Sequence, residues 1–113
     1  MTSPISTIMR VLPVLLAAGL LSSAHAAGSA FDTVELRRLP DLLRGQWNST
    51  KPEMNENSRC AAAFDSHTDP DKMILSCSVY MRMGAAAERR AIGYCEEQRS
   101  RKGVHMPCKI VKE

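Results

Sequence analysis

Cys60-Ala61-Ala62-Ala63-Phe64 is followed by Asp65-Ser66-His67-Thr68-Asp69-Pro70-Asp71 and then by Lys72-Met73-Ile74-Leu75-Ser76-Cys77. Two short runs of apolar and small residues thus flank a segment in which nearly every residue favours a turn. Ile74, Leu75, Val79 and Tyr80 suit a pleated surface, so strands are expected over residues 60–64 and 72–81. A hairpin centred near His67 and Thr68 puts residue 60 opposite residue 76 or 77. Cys60 then faces Cys77 across neighbouring strands.

Downstream, residues 85–102 are rich in good helix formers and place Ala87, Ala91 and Cys95 on one stripe, with Ile92 beside it. Gly103 is suited to end that helix. The other face carries Glu88, Arg89, Glu96, Glu97, Arg99 and Arg101, the composition of a solvated face. Residues 106–111 read as a last strand, with Pro107 tolerated near its start or on an edge. Cys95 and Cys108 are then separated by one chain reversal. Of the three pairings that four cysteines allow, Cys60–Cys77 with Cys95–Cys108 is the expected one. The spacings of 17, 18 and 13 residues match no zinc-binding pattern.

Upstream, Asp32 and Thr33 offer caps, Glu35 follows, and Val34, Leu36, Leu39, Leu42 and Leu43 recur at helical spacing. These residues predict one bent helix over 33–44, kinked or restarted at Pro40 and ended by Gly45. Gln46 to Asn48 read as a brief strand. Residues 48–58, polar and containing Pro52, read as the least ordered inner loop. The order predicts an α+β domain: a small antiparallel sheet of three or four strands, two helices packed on one face, and two disulfides.

The first residues read as a leader. Residues 1–10 hold one base and no acid, residues 11–21 are apolar apart from Pro13 and Gly19, and Ala24-His25-Ala26 presents small residues where a signal peptidase reads. The apolar run is too short to span a bilayer. Cleavage after Ala26 leaves residues 27–113 as a single mature domain. That removes Arg10 and no acid, leaving 14 bases against 12 acids, a balance that implies neither nucleic acid nor an anionic membrane as partner. So small a domain needs staples. An even number of cysteines in an exported chain supplies them, so the expected location is periplasmic or secreted and the expected state a monomer.

Residue types with chemical potential are few. Asp65, His67, Asp69 and Asp71 alternate as cation ligands can, yet Asx residues and Pro70 are what a tight turn uses, and the glycine and glutamate of an EF-hand loop are missing. Met73, Met81, Met83, Met106, His105 and Trp47 offer a soft donor set for Cu(I), although methionine is also a common core filler. Trp47 is expected in the core. The mature chain has two histidines, His67 and His105, and no G-x-S-x-G turn. Glu96 and Glu97 diverge on a helix. Neither a catalytic residue nor a cofactor or metal is assigned. Asn48-Ser49-Thr50 matches a glycosylation sequon, which carries meaning only in a eukaryotic host.

The strand–turn–strand from Cys60, the helix through Ala91-Ile92-Gly93-Tyr94-Cys95 and the closing Pro107-Cys108-Lys109-Ile110-Val111 resemble small uncharacterised secreted proteins of Gram-negative bacteria. They look like DUF4189-type domains, in which an alanine-rich helix ends in a cysteine that pairs with the next strand. The resemblance covers about half of the chain and transfers no catalytic residue. The expected function is a non-catalytic exported binding domain with a protein partner, of the kind also met as seroreactive antigens. Its contact surface is expected on the charged face of the second helix or the loop over 48–58. Two alternatives are an inhibitor of a cell-wall hydrolase, loosely suggested by the leucine-rich stretch over residues 39–43 with Gly45-x-Trp47, and a Met/His copper carrier.

Overall fold

A computed structural model of the protein describes residues 29–113, of which Phe31–Glu113 form one compact unit. The leader expected over residues 1–26 lies outside the described residues. The hairpin forms as the turn residues dictate: β2 (Arg59–Phe64) runs antiparallel to β3 (Met73–Ser78), with Cys60 opposite Cys77. A 3-10 turn at Pro70–Lys72 closes it, and the turn satisfies its own donors. Ser66 Oγ accepts from the amides of Thr68 and Asp69 at 3.1 and 3.0 Å, and the Asp69 carboxylate accepts from the amide of Asp71 at 3.0 Å.

The N-terminal part departs from the single bent helix expected there. β1 (Thr33–Glu35) is a strand, a 3-10 turn follows at Leu36–Arg38, and α1 (Asp41–Thr50) begins only after Pro40. Proline, with φ of −58° and no amide donor, fits the position before a helix and not its interior. It also forces Leu39 into an extended conformation, with ψ of 152°. Gly45 and residues 46–48 lie inside α1, not at its end or in a strand. With Leu43 and Trp47 one turn apart, α1 buries those two side chains, whereas Leu42, which the spacing assigns to the same stripe, is 46% exposed.

α2 (Gly84–Lys102) buries Ala87, Ala91 and Cys95, and Gly103 ends it at φ of 70° with the amide of Val104 donating to the Arg99 carbonyl at 3.1 Å. β4 (Lys109–Lys112) starts later than the strand expected over 106–111, after Pro107. β3 stops at Ser78, short of the expected residue 81, because Tyr80 adopts a left-handed backbone with φ of 61°. The strand order is β1-β4-β2-β3.

The α+β class, the two helices, a sheet of four strands and both disulfides are as expected, although the sheet's fourth strand is β1 and not residues 46–48, and two finer features differ. The sheet is mixed, because β1, read as helix, pairs parallel with β4. The helices pack on opposite faces, because successive strand residues point to opposite sides. Ala61, Ala63, Ile74 and Ile110 meet Ala91 and Cys95 of α2. Ala62 and Met73 meet Leu39 and Leu43 on the α1 side. Alanines at the interface of β2 with α2 leave little between sheet and helix, so that layer is thin. Cys60–Cys77 ties the hairpin, and Cys95–Cys108 ties α2 to the segment leading into β4. Such bridges belong to an oxidising, non-cytoplasmic compartment. Among the described residues, no helix is long and apolar enough to cross a membrane.

Candidate functional site

Two connections meet beside the N-terminus of α2. The first, residues 51–58, opens with a 3-10 turn at Lys51–Glu53 and is closed by its own side chains: the Asn57 amide donates to Asn55 Oδ1 at 2.7 Å and the Asn55 amide to Ser58 Oγ at 2.9 Å. This is the segment expected to be least ordered. The second connection, residues 79–83, is tied to it twice. Tyr80 donates its hydroxyl to Glu53 Oε1 at 2.8 Å, and Asn57 Nδ2 donates to the Arg82 carbonyl at 2.9 Å. The hydrogen bond to Glu53, and then the carboxylate's charge, raise the Tyr80 pKa above its ordinary value.

Tyr80 is nevertheless 72% exposed, on a backbone conformation that disfavours a side chain. Met83 is 65% exposed and Tyr94 is 44% exposed. Arg90 and Tyr94 form a row one turn apart on α2, and Met83 precedes that helix as its cap residue. Arg90 joins that row to the turn: its Nε donates to the Tyr94 hydroxyl at 3.1 Å and its Nη1 to Met81 Sδ at 3.4 Å. No carboxylate among the described residues forms an ion pair with Arg82, Arg89 or Arg90. The result is a surface of tyrosine, methionine and arginine, the residue types that concentrate at protein interfaces.

On its other side the 51–58 loop borders a cavity of about 400 Å³ floored by Trp47, Cys60 and Val111. Trp47 is buried, as expected of a core anchor. Lys51 Nζ stands 4.5 Å from the Trp47 ring centroid and 2.9 Å from Glu113 Oε2, so the charges at this mouth are already matched. Below the loop, Arg59 donates to the carbonyls of Glu56 and Ser58 at 2.8 Å and lies 3.5 Å from Glu88. Its guanidinium fills the space a side chain on Gly84 would take, so a larger residue at the start of α2 would displace the end of the Arg59 side chain.

The other residue sets singled out from the sequence have structural duties or stand apart. Asp65 accepts from the amides of His105 and Met106 at 2.7 and 2.8 Å, with His105 Nδ1 at 3.3 Å. Those two amides first, and the His105 ring after them, hold its carboxyl below its ordinary pKa. His67 stands edge-on to Phe64 with ring centroids 5.2 Å apart. Met73 belongs to the α1-side core and Met106 packs against the α2-side core, so the Met/His set is split between the two faces of the sheet. The charged side of α2 is not merely solvated. Glu96 accepts from Arg99 at 2.9 Å and from the Cys108 amide at 3.2 Å, while Arg99 donates to the Val104 and His105 carbonyls at 3.0 and 3.1 Å. Asn48 of the sequon is exposed on α1.

The 51–58 loop therefore lies beside the start of the second helix, while the charged face expected as a contact surface runs on to the helix's C-terminal half, where Glu96 and Arg99 bind residues 104–108. Tyr80, which ties that loop to the turn before the helix, reads from the sequence only as a strand residue, and Arg82 is not singled out there. Comparison with family models, with curated proteins and with solved structures finds no match to this chain.

Proposed function

We propose that this chain is a non-catalytic, exported binding domain, acting in the periplasm or outside the cell, whose contact surface is the 79–83 turn with the 51–58 loop and the first half of α2. The observation that carries the reading is Tyr80. A left-handed backbone costs a tyrosine what it would not cost a glycine, and a sparsely populated conformation at an exposed side chain is retained where the side chain has a use. Its hydroxyl is already fixed by Glu53, so little freedom remains to be lost on binding. Three arginines with no carboxylate paired to them favour a protein partner that presents Asp or Glu around an apolar pocket able to take Tyr80.

The test places a photo-crosslinking residue at position 83, beside Tyr80, and in a control at Ser49 on α1, in the chain expressed in its own host. A partner captured from position 83 and not from position 49, and lost on Tyr80→Gly, supports the reading. Tyr80→Gly keeps the backbone conformation and removes the ring. Capture that is equal from both positions, or indifferent to Tyr80→Gly, overturns it. Dose-dependent inhibition of a cell-wall hydrolase by the purified protein, lost in the same variant, would identify the partner as that enzyme.

A further inference from the structure

At the β1 side of the sheet lies a second cavity, of about 240 Å³, which shares no lining residue with the surface just described. Its apolar walls are Val34, Phe64 and Met106, all half-buried, and the His67 ring is braced against Phe64. Arg38 and Lys109 also line it, and neither forms an ion pair with a carboxylate among the described residues. The one carboxylate in the lining, Glu35, is held by Arg37 at 3.2 Å. The groove thus offers two uncompensated cations over an apolar floor.

We infer that this groove binds a small organic anion, its carboxylate between Arg38 and Lys109 and a short apolar or aromatic body on Val34, Phe64 and Met106. Charge-assisted hydrogen bonds from two cations orient the carboxylate, and the volume falls below the roughly 300–1,000 Å³ that drug-sized ligands occupy. A single ring or a short acyl chain fits that size.

The experiment is an amide chemical-shift titration of the isotope-labelled protein with benzoate, with benzamide and with inorganic phosphate. Benzoate should saturably shift the amides of residues 33–38, 64–67 and 106–109. Benzamide and phosphate should each bind at least about tenfold more weakly, and Arg38→Gln with Lys109→Gln should weaken benzoate by at least about tenfold while the other resonances overlay. Each single substitution, at a rim position, should give an intermediate loss. Benzamide binding as tightly as benzoate would show that charge is not read. Phosphate binding as tightly as benzoate would show that the apolar floor is not read. Either result, unchanged affinity in the double variant, or no saturable shift with benzoate overturns the proposal.

Discussion

Asp65 closes the end of β2 by accepting the amides of His105 and Met106, 40 and 41 residues away. Those donors favour the ionised form, so the folded chain binds the proton more weakly than the unfolded chain, whose carboxyl titrates near 3.8. A depressed carboxyl contributes stability that is fully present above about pH 4 and is lost as pH falls through the folded value. Asp65→Asn should therefore lower the urea midpoint at neutral pH and lower it by less at acid pH, where the parent's own carboxylate takes up its proton. A gap of the same size at both pH values would mean that Asp65 acts through packing alone. The same residue shows where reading from sequence runs out. An Asp in a turn is visible as such, but its partners lie across the molecule, and only the fold chooses between a turn residue, a cation ligand and a clamp.

At the level of elements, what was legible follows from how local the cause is. The β2–β3 hairpin, α2 and its Gly103 stop are written in neighbouring residues, and so is the register that joins Cys60 to Cys77. The segment over residues 33–50 was misread because its apolar spacing suits a helix on both sides of Pro40, while the proline assigns only the second part to one. β1 is three residues long and exists because β4 pairs with it, a non-local cause that no window of sequence contains. Gly45 separates the two readings experimentally. As a helix terminator in a left-handed conformation it would resist substitution. Inside α1, exposed and with nothing within 4 Å of an added Cβ, it should accept alanine with a gain of about 0.5–1 kcal/mol in denaturant unfolding. A loss of stability in Gly45→Ala would contradict the helix over Asp41–Thr50. The candidate site was legible only in its parts, since the adjacency of the 51–58 loop and the 79–83 turn depends on Tyr80 and Asn57 meeting Glu53 and Arg82.

For the whole molecule, the thin layer of alanines between β2 and α2 sets how much the core can contribute. Ala61, Ala63, Ala87 and Ala91 are all at least 99% buried, yet each brings little apolar area, so the helix is held close without being held strongly. The disulfides offset this, and they do so on different parts of the fold. Cys60–Cys77, 17 residues apart, locks a hairpin whose strands are already paired, whereas Cys95–Cys108, 13 residues apart, connects α2 to β4 where Glu96 and Arg99 add the remaining links. On the loop-closure account each bridge stabilises by about 3 kcal/mol, against a total of roughly 5–15 kcal/mol for a typical domain. Replacing either pair by serine should leave a folded but marginal protein, and replacing both should abolish the cooperative guanidinium transition. Hydrogen exchange distinguishes the two single losses. Without Cys95–Cys108, protection should fall first at the C-terminal half of α2 and across residues 104–110 while β2 and β3 keep theirs, because the hairpin retains its own bridge and its backbone ladder. Uniform loss of protection in that variant would show that the two staples serve one cooperative unit, and a four-serine chain that still unfolds within about 1 kcal/mol of the parent would show that the alanine core suffices alone.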